Sequence, residues 1–130
     1  MRLLLDTHTL FWYIDGDQKL TGTAQTLIQN FTNEVFISPA SYWEIAIKVN
    51  LGKWTLNRPY EEFIELAQVQ YGFNVLPILP VHTARLIGLP YPDNHRDPFD
   101  RLLVVQAMVE SMPIVSADSK LDAYGVIRLW

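Results

Sequence analysis

The chain has 130 residues, 49% of them apolar and including four Trp, six Tyr and six Phe, a composition that excludes an intrinsically disordered protein. It contains no Cys, which excludes disulfides and restricts any metal to oxygen and nitrogen ligands. A formal net charge of −4 excludes the broad basic footprint usual in nucleic-acid binders, and no apolar run approaches the ~20 residues of a membrane span.

The N-terminus lacks the basic segment and apolar core of a secretion signal, so a cytoplasmic protein is expected. The length fits a single domain over residues 1–130. Leu3, Leu4 and Leu5 form an apolar run without alternation, the pattern of a strand buried on both faces of a parallel sheet. The run stops at Asp6, and a helical pattern follows over 9–14. Asp6 therefore has two readings. It is either a helix cap or an acid at the carboxyl edge of a sheet, where open α/β folds do their chemistry.

Asp15-Gly16-Asp17 reads as a turn. Ala24, Leu27, Ile28 and Phe31 then recur at helical spacing behind a cap near Thr21. A second strand is expected over 35–37, and Ser38-Pro39 opens a helix that runs to about Leu51 and stops at Gly52. Pro59 starts another helix, with Tyr60, Phe63, Ile64 and Ala67 on one face. Residues 73–76 form a third strand closed by Pro77, and 81–87 a short helix ended by Gly88. An irregular surface loop covers 89–96. Asp97-Pro98 opens a long helix over 99–111, apolar almost all round and therefore buried. Strand 114–115 leads into Ser116-Ala117-Asp118, a helical turn to Tyr124 and a last strand over 126–129. Strands alternating with helices predict a three-layer α/β/α sandwich around a central, mainly parallel sheet of four to five strands.

Four carboxylates do not fit these surroundings. Asp6 and Asp118 each end a strand, which puts both at the carboxyl edge of one sheet. Glu44 shares a helical stripe with Ala40, Ile47 and Leu51 and so projects inward, with Lys48 at the edge of the stripe. An ion pair with Lys48, worth about 0.3 kcal/mol, would explain the pair but not the inward placement. Asp97 reads as the cap of the apolar helix, whereas Asp100 is either a capping-box acid or a site acid.

Acids converging at ~4 Å in an effective dielectric of ~20 repel by about 4 kcal/mol per pair, so such a cluster calls for cations. Mg²⁺ or Mn²⁺ with all-oxygen ligands suits it, and turns an acidic pocket into one that accepts phosphate. Lys48, Arg96 and Arg101 adjoin the acids as candidate substrate-binding residues, against the plainer reading of each as a surface charge. His8 follows Asp6 closely enough to line the pocket, while His82 and His95 lack ligand spacing and are expected in solvent. Trp12, Tyr13, Trp43 and Trp54 are expected in the core or at an interface.

The segments Leu3 to Trp12, Ser38 to Lys48, His95 to Ala107 and Val115 to Asp118 together resemble the four acidic motifs of PIN-domain proteins. The resemblance is greatest to the VapC-type ribonuclease toxins of toxin–antitoxin pairs. It covers the whole chain in order, and its most specific part is His95-Arg96-Asp97-Pro98-Phe99-Asp100-Arg101. It implies a Mg²⁺- or Mn²⁺-dependent endoribonuclease with an RNA substrate, a cognate antitoxin partner and a homodimer. Asp6, Glu44, Asp100 and Asp118 would be its metal-binding, catalytic acids; Asp97 and Asp122 are extra acids that the resemblance does not assign.

A haloacid-dehalogenase-like phosphatase would need a second Asp where this chain has His8. A receiver-like domain would need paired acids after the first strand, which are absent, and a Lys better placed than Lys120. The remaining alternative is a non-catalytic RNA- or partner-binding module that keeps the fold.

Overall fold

The apolar run near the N-terminus becomes the middle strand of the sheet in a computed structural model that describes all of residues 1–130. The strands are β1 (Arg2–Leu5), β2 (Glu34–Ile37), β3 (Asn74–Val75), β4 (Ile114–Val115) and β5 (Arg128–Leu129). They lie in the order β3-β2-β1-β4-β5, and every pairing is parallel, so the sheet is wholly rather than mainly parallel. Leu3 and Leu5 enter one core layer and Leu4 the other, all fully buried, which is why the run shows no polar alternation.

The Leu3–Leu5 side is covered by α1 (Thr7–Asp15), α2 (Gly22–Gln29), α3 (Pro39–Asn50) and α4 (Tyr60–Glu65), the last continued by a π-helical turn, Leu66–Gln70. Their contribution includes Leu10, Ile14, Ile28, Ile45 and Phe63. On the Leu4 side, α5 (Pro80–Ile87) packs against α6 (Pro98–Glu110), which buries Leu103, Val104, Val105 and Ala107. No helix is long and apolar enough to cross a membrane.

Local chemistry sets the element ends. Gly16 closes α1 in a left-handed conformation (φ 72°) that a residue with a Cβ adopts only with strain. Asn30 ends α2 before the apolar spacing reaches Phe31, because its side chain accepts from Thr32 N and turns the chain outward. Phe31, expected on the buried face of that helix, is consequently 95% exposed. The third and fifth strands are shorter than expected. Pro77 follows β3 closely, and β5 is reached only after Gly125 turns the chain at φ 78°. The loop over 89–96 contains one short 3₁₀ turn, Pro92–Asn94, with Asp93 and Asn94 both left-handed (φ 51° and 57°).

His82 corrects an expectation: it is fully buried, not solvated. Its Nδ1 accepts from Leu79 N at 2.9 Å, and its Nε2 meets Glu110 Oε1 at 3.0 Å, linking the start of α5 to the end of α6. Both ring nitrogens are satisfied, so burial carries no penalty for an unpaired polar atom.

The chain lays down β1, β2 and β3 in one direction, then returns to set β4 on the other side of β1. The order thus reverses between β1 and β4, and a crevice opens at the carboxyl ends of that pair. Asp6 and Asp118 are the acids that the two strands deliver there.

Candidate active site

Asp6 is both things its sequence position allows. It caps α1 by accepting from Thr9 N at 2.8 Å, and it also lines a cavity of about 360 Å³ with His8, Trp12, Ala117, Asp118 and Lys120. Burial pushes its carboxyl above the ordinary range, against the hydrogen bonds from Ser116 and Thr9 that draw it down. Ser116, unremarked in the sequence, joins the two strand ends: its hydroxyl donates to Asp6 Oδ2 and accepts from Asp118 N at 3.0 Å. Asp118 in turn caps the Ser119–Tyr124 turn through Lys120 N.

Glu44 projects inward from α3 as its stripe predicts and is 5% exposed. Lys48 Nζ lies 3.0 Å from its carboxylate and 4.4 Å from the centre of the Trp54 ring, so that cation is already engaged on two sides. Asp97 is the cap of α6, accepting from Phe99 N and Asp100 N at 2.9 and 3.0 Å. Asp100 sits behind it, half-buried, with its carboxyl pushed up to about 6 by burial and by the charges of Asp97 and Glu44. Ligand atoms of Asp100, Asp118 and His95 lie within 4.8 Å of one another. Asp6 and Glu44 stand outside that trio, Asp6 sharing the crevice with Asp118 and Glu44 acting on Asp100 through its charge.

Asp100 and Asp118 thus meet directly, Asp6 is tied to Asp118 through Ser116 and Glu44 acts on Asp100, and the carboxylate oxygens so gathered make a donor set that fits a hard divalent cation. His95, expected in solvent, is part of the group: Nε2 lies 3.2 Å from Asp100 Oδ2 and Nδ1 lies 2.6 Å from Tyr124 Oη. Only the fold brings the turn after β4 against the start of α6, so spacing along the chain could not reveal it.

The candidate cations divide. Arg101 is 4% exposed and spends its guanidinium on Pro90 O, Leu89 O and Tyr124 Oη, so it is neither a surface charge nor open to substrate. Arg96 donates through Nε to Asn94 at 2.8 Å and lies over the Tyr91 ring. Together with Lys120 it borders a polar pocket of about 350 Å³ lined by Pro92, Asp93, Asn94 and His95. Lys120 also lines the Asp6–Asp118 crevice and belongs to both spaces. Asp122 is accounted for elsewhere: it pairs with Arg128 at 2.8 Å, which holds its carboxyl below the ordinary range. Of the four aromatics, Trp43 is 65% exposed and the others are half-buried.

Comparison with known proteins adds an independent line. The family model for the PIN domain matches residues 3–127. Ribonuclease VapC22 of Mycobacterium tuberculosis is 25% identical over 124 residues, spanning 94% of this chain and 91% of that protein. Among solved structures, VapBC2 from Rickettsia felis, bound to a DNA fragment from its promoter, superposes with a TM-score of 0.73 at 15% identity, covering 99% of this chain and 98% of that one. Mycobacterium tuberculosis VapC20, described as a sarcin-ricin loop cleaving toxin, gives 0.71 at 15% identity, with 96% of each chain covered. FitAcB from Neisseria gonorrhoeae gives 0.68 at 14%, covering 98% of this chain and 96% of that one.

Proposed function

The chain belongs to the PIN domain family, and on that premise we propose that it is a metal-dependent endoribonuclease, the toxin of a toxin–antitoxin pair. The observation that carries the reading is the meeting of Asp100, Asp118 and His95 within 4.8 Å beside the point where the strand order reverses. Asp6, Glu44, Asp100 and Asp118 would hold one or two Mg²⁺ or Mn²⁺ ions. Such an ion, when bound, lowers the pKa of coordinated water and takes up the charge that develops on a phosphodiester under attack.

The chain's own groups do the rest. Ser116 holds Asp6 in one orientation, and Lys48 does the same for Glu44. His8 and Trp12 border the crevice and limit how the RNA strand enters. Lys120 and Arg96 are the cations with side-chain nitrogens still available, and they suit phosphates on either side of the cut bond. Arg101 is withdrawn from that role and Lys48 is committed to Glu44. The reading is hydrolysis to a 5′-phosphate and a 3′-hydroxyl.

A protein partner is part of the same proposal. The solved complexes of related chains support it, as does an apolar groove of about 390 Å³ beside Trp43, formed with Pro39, Ala40, Ile78, Phe99 and Leu102. An antitoxin helix, or a second copy of the chain in a homodimer, would cover it.

Cleavage of single-stranded oligoribonucleotides with Mg²⁺, and again with excess chelator, tests the central claim. Asp6→Asn keeps the shape and removes the charge, so it should abolish cleavage at unchanged thermal stability or better. Full activity of that variant, or activity that survives chelation, would overturn the proposal.

A further inference from the structure

A chain of hydrogen bonds leads from a buried charge to the cluster, and its direction can be deduced. Arg101 begins it: a guanidinium has donors and no acceptor. Its Nη1 donates to Pro90 O at 2.7 Å and to Tyr124 Oη at 3.1 Å, and its Nη2 donates to Leu89 O at 3.2 Å. The guanidinium is 4% exposed and lies 3.9 Å from the centre of the Tyr91 ring, so its position is set from several sides.

Tyr124 comes next. Its buried hydroxyl has one hydrogen and two neighbours, Arg101 and His95 Nδ1 at 2.6 Å. The oxygen accepts from Arg101, so its own hydrogen goes to Nδ1. The neutral ring therefore carries its hydrogen on Nε2, which faces Asp100 Oδ2 at 3.2 Å. The opposite tautomer fails twice. It would leave the tyrosine hydrogen without an acceptor and would turn a bare Nε2 towards a carboxylate oxygen. A doubly protonated ring keeps the Nε2 hydrogen as well. Every satisfied arrangement thus blocks that nitrogen.

We infer that His95 is a positioning residue and not a metal ligand: Arg101 and Tyr124 fix its Nε2–H on Asp100, turning that carboxylate towards the cation. No other hydrogen bond reaches the Asp100 carboxylate, so Oδ1 stays open to an ion. A group that hydrogen-bonds a metal-binding carboxylate in this way orients it and raises affinity without touching the metal. The motif His95 to Arg101 places His95 and Arg101 on either side of Asp100 in sequence, and Tyr124 joins them from the turn after β4. The inference rests on the metal-site reading above.

Long-range ¹H–¹⁵N spectra of the His95 ring in metal-free protein read the tautomer directly. Nε2 should be protonated and Nδ1 an acceptor, and added Mg²⁺ should leave the Nε2 hydrogen in place. Tyr124→Phe keeps the ring and removes the hydroxyl. It should release the tautomer and weaken Mn²⁺ binding about ten-fold, followed by the free-ion signal in electron paramagnetic resonance. His95→Gln, which keeps an N–H donor, should retain more Mn²⁺ affinity than His95→Leu.

A bare Nε2, loss of its hydrogen on adding Mg²⁺, or equal losses in the Gln and Leu variants would each overturn the inference. Should Tyr124→Phe not fold, the wild-type spectrum and the two His95 variants decide. Failure of the wild-type chain to bind either ion would remove the nuclease proposal instead, while the metal-free spectrum would still decide the relay.

Discussion

Asp97 and Asp100 stand one helical turn apart at the start of α6 and have opposite energetics. Asp97 satisfies two backbone N–H groups, so Asp97→Ala should cost about 1 kcal/mol of stability in thermal melts. Asp100 is held above its ordinary proton affinity, at about 6, so the folded metal-free chain binds a proton that the unfolded chain releases. Its favourable contribution is full below the unfolded carboxylate value of about 4 and is lost as pH rises through about 6. Asp6, also shifted upward, acts in the same direction. Metal-free protein should therefore melt lower at pH 7.5 than at pH 5, and Asp100→Asn should raise the melting temperature at pH 7.5 while changing little at pH 4. A lower melting temperature in that variant at pH 7.5 would contradict the assignment. The site acids were legible because each interrupts an apolar pattern, at a strand end for Asp6 and Asp118, on an inward stripe for Glu44 and in the first turn of an apolar helix for Asp100. Ser116, His95 and Tyr124 were not, because their roles depend on partners brought near only by folding. Arg101 was misread for the same reason: its acceptors are carbonyls of a loop that no periodicity describes.

At the scale of elements, α5 and α6 owe their junction to one histidine. His82→Ala would leave Leu79 N and Glu110 Oε1 without their partner and open a cavity between the helices, a loss of about 2–3 kcal/mol. The junction lies away from the β1–β4 crevice, so cleavage per folded molecule should be unchanged; denaturant unfolding and a cleavage assay check both halves. Trp43 makes the contrary case. Its ring is mostly exposed, so Trp43→Ala should leave stability within about 0.5 kcal/mol and weaken the protein partner, as read by co-purification and titration. The helix and strand order could be read in sequence because caps, prolines and apolar spacing agree over most of the chain. The end of α2 could not. A single Asn side chain outcompeted the helix there, and Phe31 was left outside.

Across the whole molecule, β1 cannot be flanked on both sides until Leu4 and Leu5 meet Ile114 and Val115, near the far end of the chain. Contacts so distant in sequence form late, since the intervening loop must be closed before they are rewarded. A chain ending at residue 112 keeps β1, β2 and α1–α6 but lacks β4, Ser116 and Asp118. It should show no cooperative melt and no measurable Mn²⁺ binding; cooperative melting of that fragment would refute the claim. Synthesis runs from the N-terminus, so the order of the strands is also an order in time. A growing polypeptide carries Asp6, Glu44 and Asp100 long before it carries Asp118. The four carboxylates can therefore meet only after residue 118 has been made and β4 has paired with β1, so the last-made strand completes the site that the first-made strand begins.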